Sequence, residues 1–318
     1  MRHLLLFCLK IIKNTGVNCN VTYVLRDSWW WQPLLFHIMR ATKRKEETQM
    51  DMITLSNVQK SYGSHQVLND VSLNVRKGEI YGLIGKNGAG KTTIFKIILG
   101  LTEYEQGRLR IAGSKSERDL LQARRKIGFF IGKNFLDYLS AGENLEYYRR
   151  MKGIKDKSET ERVLKLVGLQ NANGKFSDFS MGMKQRLGIA NAMLGNPEIV
   201  ILDEPVNGLD PQGIADIRNL IVSLNKELGT TFIVSSHILG ELEHTANRFG
   251  IIDGGRVLKE ITHDDLKVRS SKIEISVDDY ERAKKLLTDN HIKISKETSE
   301  YKSLEDYYFE LVGGAIND

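Results

Sequence analysis

Cysteine is scarce in this 318-residue sequence, since the only two, Cys8 and Cys19, lie near its start. The rest of the chain therefore has neither a disulfide framework nor a cysteine-based metal site, which suits a reducing compartment. Long apolar runs are lacking as well. LLLFCLKII is interrupted by Lys10 and WWWQPLLFHIM by Pro33 and His37, so neither reaches the roughly 18–20 apolar residues of a membrane-spanning helix. No later segment of the sequence reaches that length either.

Excess positive charge is confined to the first 49 residues. The formal net charge of +6 would by itself favour nucleic acid or an anionic membrane surface as a partner. Eight basic and three acidic residues in 1–49 account for +5 of it, which leaves about +1 for residues 50–318. A net charge of about +1 is too small for the basic surface that a nucleic-acid-binding protein needs, so we expect no nucleic-acid partner.

Residues 1–49 also hold both cysteines and all three tryptophans, so their composition differs from that of the rest. A signal peptide would explain the basic start and short apolar run, but no clean small-residue cleavage site precedes Asn18. A membrane-surface anchor is a second interpretation. We favour a third, an over-extended reading frame, because MDMITLSNVQKSYG begins as a compact domain begins and offers Met50 and Met52 as start codons. Residues 1–49 are then a non-native or dispensable extension.

From Met52 onward the apolar pattern predicts an α/β fold. ITLSNVQKSY and VLNDVSLNVRKGE alternate around the turn YGSHQ and predict a small N-terminal antiparallel sheet. EIYGLIG, EIVILD and TFIVSSH are short apolar strands, typical of the interior of a parallel sheet with helices between its strands. We expect one large domain at 50–270, with a mostly helical subdomain at about 115–195, and a small α+β appendage at 271–318 without a catalytic cluster.

The segment GKNGAGKTT fits the pattern G-x-x-x-x-G-K-[ST] and lies between a predicted strand and a predicted helix. Its glycines let the backbone curl so that successive N–H groups face phosphate oxygens. Lys91 can then reach the β and γ phosphates, and Thr92 can offer its hydroxyl to Mg²⁺. A glycine-rich turn that happens to contain Lys-Thr is disfavoured by the flanking strand and helix. The predicted nucleotide-binding residues of this loop are Gly85, Lys86, Asn87, Gly88, Ala89, Gly90, Lys91, Thr92 and Thr93.

Two adjacent acids end the buried strand in IVILDEP. Asp203 suits a Mg²⁺ partner, usually through water, and Glu204 follows where a carboxylate can orient or polarise an attacking water. Such a pair can also cap a turn, but its occurrence with a P-loop favours the chemical role. His237 ends the strand in IVSSH and is predicted to face the γ-phosphate, although a lone histidine is more often structural.

A second predicted phosphate-binding site lies in SMGMKQR, residues 180–186. Ser180 and Gly182 precede the helical run QRLGIANAML, and bare N–H groups at a helix N-terminus favour an anion. Tyr62, in KSYGSHQVL, is placed to stack on an adenine, although alone it would be an ordinary strand aromatic. NGLD, which ends at Asp210, would by itself be a turn.

The ordered set SYG, GKNGAGKTT, FSMGMKQRLGIA, ILDEPVNGLD and SSH resembles the nucleotide-binding subunit of ATP-binding-cassette (ABC) transporters over roughly residues 52–260. The resemblance implies the following assignments: adenine-stacking Tyr62, the Walker A loop Gly85–Thr93, the signature Ser180, Met181, Gly182, Met183 and Lys184, the Walker B Asp203 with the catalytic Glu204, the D-loop Asp210 and the switch histidine His237.

In this family two cassettes dimerise head to tail, and the signature helix of one completes the ATP site of the other. The resemblance therefore implies that SMGMKQR receives the γ-phosphate of ATP bound by a second ABC subunit, expected to be a second copy of the chain. It also implies that residues 50–270 form an ABC ATP-binding domain with a P-loop core. ATP and Mg²⁺ are then its cofactors, and membrane permease subunits are its partners. The expected location is the cytoplasmic face of a bacterial cell membrane.

Two positions depart from the family pattern. The signature has Ser-Met-Gly-Met-Lys where the commonest form is Ser-Gly-Gly-Gln, but Ser180 and Gly182 keep the oxygen and the close backbone approach, so we expect activity. The Q-loop position usually held by Gln, or by Glu in some peptide-antibiotic exporters, aligns with Gly132. Since glycine offers no side chain to Mg²⁺ or water, we expect unusual coupling between ATP and the membrane partner.

The segments FSMGMKQRLGIANAMLGNPEIVILDEPVNGLDP and SLEDYYFELVGG resemble the bacitracin and lantibiotic exporters, whose ATPases serve self-immunity or resistance and pair with separate membrane proteins. The alternative is a soluble ABC ATPase acting on ribosomes or nucleic acid. Such proteins typically carry two cassettes or a long coiled-coil insertion, whereas this chain has one cassette and no heptad run. A catalytically idle regulatory subunit is disfavoured because Lys91, Asp203, Glu204 and His237 are all present.

Overall fold

The computed structural model describes residues 50–132, 135–266 and 307. The expected extension at 1–49 and, apart from Tyr307, the expected appendage at 271–318 lie outside the described residues. The strands are, in chain order, β1 Asp51–Tyr62, β2 His65–Arg76, β3 Ile80–Ile84, β4 Gln106–Ile111, β5 Ile127–Phe130, β6 Ile199–Asp203, β7 Thr231–Ser236, β8 Arg248–Asp253 and β9 Arg256–Thr262. The helices are α1 Lys91–Leu99, α2 Glu117–Arg124, α3 Ala141–Met151, α4 Ser158–Leu166, α5 Met181–Ala192, α6 Pro211–Leu228 and α7 Leu239–Glu243.

The larger sheet confirms the predicted parallel core. Its strand order is β5-β6-β7-β3-β8-β9, and every neighbouring pair is parallel except the last. All residues of β3 and β7 are buried, as expected for apolar strands covered on both faces. Because the strands are parallel, the carboxyl ends of β3, β6 and β7 lie at one edge of the sheet, where ligands bind in open α/β sheets.

The smaller sheet confirms the predicted N-terminal antiparallel unit, with the order β2-β1-β4. β1 and β2 form a hairpin in which Tyr62 pairs with His65. Gly63, in the intervening turn, has a φ of +60°, a left-handed conformation that glycine adopts readily. The third strand, β4, is an addition to the predicted pair. Its partner β1 lies between two antiparallel neighbours, which places the hairpin in a wider sheet than the alternating pattern alone indicated.

A buried polar cluster joins the two sheets beside the start of β3. The Arg248 guanidinium bonds to the Glu79 carboxylate at 2.9 Å and to Asn74 Oδ1 of β2 at 2.7 Å. The hydroxyl of Tyr81 donates to Glu260 of β9 at 2.8 Å. Burial, with the charge of Glu260, raises the pKa of Tyr81 well above its ordinary value. The paired charges compensate the desolvation of Arg248 and fix the strand that leads into the glycine loop.

The range expected to be mostly helical contains α2, α3, α4 and α5, together with the short strand β5. Helix α5 packs closely on β5, since a Cβ at Gly188 would lie 2.5 Å from the ring of Phe130. Arg186 of α5 also bonds to Asp216 of α6 at 3.2 Å. These contacts fix the helix whose first turn follows Ser180. In the described part of the chain, every helix is too short or too polar to cross a membrane.

Candidate functional site

The glycine loop connects the end of β3 to the first turn of α1, as the motif predicts. Gly90, directly before α1, has a φ of +109°, which side-chain-bearing residues rarely adopt. No residue with a side chain fits at the position of Gly85, because a Cβ there would lie 2.3 Å from the carbonyl oxygen of Ile252. The loop thus brings backbone N–H groups and a helix N-terminus together, the arrangement that binds phosphate. The remaining predicted loop residues, Lys86, Asn87, Gly88, Ala89 and Thr93, lie in this loop and in the first turn of α1.

Lys91, the first residue of α1, is buried with its ammonium group against the loop. Nζ donates to the carbonyl oxygens of Gly85 at 2.6 Å and Lys86 at 3.2 Å. It also forms an ion pair with Oε1 of Glu204 at 3.2 Å. The lysine therefore links the glycine loop to the acids at the end of β6.

Both carboxylate oxygens of Asp203 accept hydrogen bonds. The Thr92 hydroxyl donates to Oδ2 at 2.7 Å, and the Ser235 hydroxyl donates to Oδ1 at 2.6 Å. Asp203 and Ser235 are register partners in the parallel strands β6 and β7, which places them side by side. A carboxylate and a hydroxyl in contact are hard oxygen donors of the kind that Mg²⁺ prefers.

Glu204 lies between a lysine and a histidine. Its Oε1 faces Lys91, and its Oε2 lies 2.6 Å from Nδ1 of His237. The backbone of Glu204 has a φ of +53°, in the left-handed region. Such a conformation costs a residue with a side chain about 1–3 kcal/mol and persists only where the surroundings enforce it. The Glu204 N–H donates to the Ser235 hydroxyl at 2.9 Å.

Motif reasoning missed three polar residues at this edge: Ser235, Ser236 and Glu241. Ser236 accepts from the backbone N–H of Ile238 at 2.9 Å, and its hydroxyl lies 3.0 Å from Oε2 of Glu241. Burial raises the pKa of Glu241, and the hydrogen bond from Ser236 opposes that rise. Two hydroxyls at the end of a buried strand beside an acid-ended strand were the available signal, but only the strand order shows which residues meet.

Ser180 and Gly182 lie apart from these contacts. Ser180 is the N-cap of α5, and its side chain accepts from the Met183 N–H at 3.3 Å. A Cβ at Gly182 would meet only the Ser180 hydroxyl, at 4.0 Å, so the surface there is open. Within the described ranges, no hydrogen bond or ion pair joins Ser180 or Gly182 to the glycine loop or to the acids of β6.

Three other predicted positions are also on the surface. The Tyr62 ring, at the end of β1, is 48% exposed and has the Lys60 ammonium 5.1 Å from its centroid. Asp210 is the N-cap of α6 and accepts from the Gly213 N–H at 3.0 Å. Gly132 is exposed and has a φ of +73°. None of the three contacts the acids of β6 in the part of the chain that the structure describes.

The parallel sheet, the glycine loop after β3 and the acids that end β6 define a P-loop nucleoside triphosphatase. Residues 68–207 match the model of the ABC transporter family. BcrA, a bacitracin transport ATP-binding protein of Bacillus licheniformis, is 38% identical over 299 residues that cover 83% of this chain and 98% of the relative. SrtF, a lantibiotic transport ATP-binding protein of Streptococcus pyogenes, is 44% identical over 216 residues that cover 67% and 92%.

Among solved structures, a dimeric ATP-binding cassette in a post-hydrolysis state with ADP and Pi is 30% identical. Its TM-score is 0.58, and the match covers 66% of this chain and 98% of that one. The chain therefore belongs to the ATP-binding subunits of the ABC transporter family. It is an ATPase coupled to transport.

Proposed function

We propose that this chain hydrolyses ATP to power the export of a membrane-active peptide antibiotic through separate membrane subunits. Export of this kind provides self-immunity or resistance. The proposal is supported by the similarity to BcrA and SrtF, whose names specify transport of bacitracin and of a lantibiotic, over nearly their whole lengths. The chain would act at the cytoplasmic face of the membrane, bound to its membrane partners.

The nucleotide phosphates would lie in the glycine loop. The Lys91 ammonium would neutralise charge on the β and γ phosphates, and the loop N–H groups would bind their oxygens. Tyr62 would stack on the adenine from the exposed end of β1. Thr92 and Asp203 are the residues that would hold Mg²⁺, which supplies charge neutralisation on the phosphates. Among the described residues there is no group of three or more His, Cys, Asp and Glu that could hold a metal.

Glu204 would orient the attacking water and accept its proton. The observation that carries this role is the position of its carboxylate, 3.2 Å from the Lys91 ammonium and 2.6 Å from His237. His237 would hold the carboxylate toward the γ-phosphate, and the polarised water would attack phosphorus in line with the departing ADP oxygen.

Ser180 and Gly182 would act on ATP bound by a second copy of the chain, with Asp210 at the same interface. Ser180 is exposed and the space beside Gly182 is open, and among the described residues neither is linked to the acids, which supports a shared site. Helix α5 has no acidic residue in its first turn, so its N-terminus is free to favour the γ-phosphate of the partner. Two such sites would form across the two-fold axis of a symmetric dimer.

The test is Glu204→Gln, examined by ATPase assay and by sizing chromatography with ATP and Mg²⁺. The amide preserves shape but cannot accept the proton, so turnover should fall ~10²–10⁴-fold. ATP should persist and hold two chains together, which shifts the variant to a dimer. Adding Ser180→Arg should abolish that shift. A Glu204→Gln protein that stays monomeric with saturating ATP, or a double variant that still dimerises, would contradict the shared site.

Glu198→Gln is the matched control. Glu198 lies directly before the same strand, is 47% exposed and pairs with Lys126 at the surface. Its ATP turnover and elution should equal those of the unaltered protein. For the transport step, the chain would be expressed with the membrane proteins encoded beside it. Resistance to bacitracin or a lantibiotic should appear and be lost with Glu204→Gln; unchanged sensitivity to both peptides would contradict peptide export.

A further inference from the structure

Ser235 is buried completely, yet its hydroxyl bonds to both acids of the site. Oγ donates to Asp203 Oδ1 at 2.6 Å and accepts from the backbone N–H of Glu204 at 2.9 Å. A group without solvent exposure does not meet water or nucleotide directly. We propose that Ser235 is a positioning residue for ATP hydrolysis, which holds the Asp203 carboxylate and the Glu204 backbone in one arrangement. This inference rests on the roles proposed above for the two acids.

The first bond fixes the direction of the Asp203 carboxylate. The terminal torsion of an aspartate is broad, so one bond from Thr92 to Oδ2 leaves rotation open. A second donor on Oδ1 closes that rotation and presents the carboxylate at a defined angle beside the Thr92 hydroxyl. Outer hydrogen bonds of this kind orient metal-binding carboxylates, and their loss commonly lowers metal affinity or activity.

The second bond acts on the backbone of Glu204, which has its φ at +53°. A left-handed residue with a side chain needs surroundings that hold it there. The Ser235 hydroxyl is the acceptor of the Glu204 N–H, and its position is set by the parallel register that places Ser235 beside Asp203. The strand pairing therefore sets the orientation of the peptide before Glu204, and with it the direction in which the carboxylate leaves the backbone.

Ser236, the next residue of β7, makes a useful contrast. It is also completely buried, but its hydroxyl bonds to the turn after the strand, through Ile238 and Glu241. Successive side chains of a strand point to opposite faces, so one serine faces the acids and the other does not. Both serine hydroxyls are therefore buried at the end of the strand, but of the two only that of Ser235 contacts the two acids.

The test uses Ser235→Ala and Ser235→Cys, with ATPase kinetics and calorimetric titration of ATP with and without Mg²⁺. We expect a fall in kcat of about 10- to 100-fold in both variants. The tightening of ATP binding by Mg²⁺ should shrink, whereas binding without Mg²⁺ should stay unchanged because the glycine loop is intact. The cysteine fills the position with a slightly larger side chain, but its thiol is a weak donor and acceptor, so it should resemble the alanine.

Thr231→Val is the control, because Thr231 is equally buried on the same strand and its hydroxyl accepts from the Gly78 N–H at the other end. It should leave kcat and the Mg²⁺ response unchanged. Unchanged kcat in Ser235→Ala would overturn the inference. So would a Ser235→Cys protein that equals the unaltered chain, since packing would then be the role of Ser235.

Asp203→Asn and Glu204→Gln separate this inference from the proposed function. If both are inactive while Ser235→Ala is fully active, the Ser235 inference alone fails. If either acid variant hydrolyses ATP normally, the roles proposed for the acids fail first, and the positioning role falls with them. Thermal melting of each variant identifies any that is unfolded, and Ser235→Cys remains informative where Ser235→Ala unfolds.

Discussion

Two regions of the molecule can be compared, the end of the parallel sheet and the start of helix α5. They differ in whether their polar side chains bond to other parts of the same chain. At the sheet, one connected group of hydrogen bonds and ion pairs, which we call the acid edge, contains Lys91, Thr92, Asp203, Glu204, Ser235 and His237. At the helix, and among the described residues, the Ser180 side chain bonds only to its own first turn. The first region is assembled by its own fold, and the second presents groups that no other described residue uses.

The two regions also differ in charge. The acid edge contains two adjacent carboxylates, and the Lys91 ammonium pairs with that of Glu204, so the carboxylates favour cations. The first turn of α5 contains no acid and has Lys184 close behind, so its N-terminus favours an anion. With the roles proposed above, one fold would separate the two tasks of phosphate chemistry: the acid edge of one chain would activate water, and the start of α5 in another chain would receive the γ-phosphate.

The strongest way to break the acid edge is Lys91→Ala. Removal of the ammonium group that faces the loop and Glu204 should abolish ATP turnover, by at least ~10²–10³-fold, and weaken nucleotide binding. Lys96→Ala, on the exposed side of the same helix, should hydrolyse ATP at the unaltered rate. Phosphate release and fluorescent nucleotide titration measure both effects. Near-normal hydrolysis by Lys91→Ala would mean that the loop assignment is wrong.

Ser180→Arg tests the other region. A bulky charge at the open start of α5 should lower ATPase turnover by ~10²-fold because it blocks the shared site, yet leave ATP binding to the single chain intact. Ser116→Arg is the matched control, since Ser116 is also an exposed N-cap serine that accepts from the N–H three residues later. Equal losses in both variants would show that the lost cap, rather than the site, explains the effect.

The linear motifs identify most of the acid edge because each motif carries its own context of strand, loop and helix. Lys91 and Thr92 follow glycines after an apolar strand, and Asp203 ends another. Ser235 could not be identified in this way, because its contact with Asp203 depends on the order of β6 and β7 in the sheet. The φ of Glu204 is likewise set by tertiary contacts and leaves no pattern in the sequence.

The fold class was predictable because local patterns reveal its main strands and helices. Two of its shorter strands were not predictable. Apolar strands that alternate with helices indicate a parallel sheet wherever they occur. Strand β5 has only four residues, Ile127–Phe130, and lies in a range dominated by helical periodicity. Four residues are too few for an alternating pattern to mark it as a strand. Strand β4 carries the polar pattern QGRLRI and becomes a strand by pairing with β1. Both depend on partners distant in the sequence.

Gly132→Gln tests a third region, the exposed Gly132, for a role in coupling ATPase activity to the membrane subunits. We expect it to change the stimulation of ATPase by the membrane subunits severalfold, with a smaller change in basal turnover. The left-handed backbone of Gly132 also predicts a stability cost of about 1–2 kcal/mol for any side chain there. Gly132→Ala has that cost without the amide, so it is the control. Equal changes in stimulated and basal rates would contradict the division of roles.

Removal of residues 1–49 should have the smallest effect. We propose that they are dispensable, since the charge, cysteine and tryptophan content all change at their end. A chain that begins at Met50 should match the full chain in ATPase rate and in ATP-dependent dimerisation. N-terminal mass analysis of natively expressed protein provides a second measurement. Detection of residues 2–40 in the mature protein would contradict the proposal and support a membrane anchor.

The position of β3 in the sheet has a consequence for the synthesis of the chain. This strand carries the glycine loop, and its two neighbours, β7 and β8, come much later in the sequence. Gly78 and its hydrogen-bond partner Thr231 are 153 residues apart. At about 5–20 residues per second, the ribosome needs about 8–30 seconds to supply those neighbours. Throughout that interval the apolar β3 lacks both of its neighbours, so we expect the nascent chain to expose an apolar strand of the kind that chaperones protect until β7 and β8 emerge.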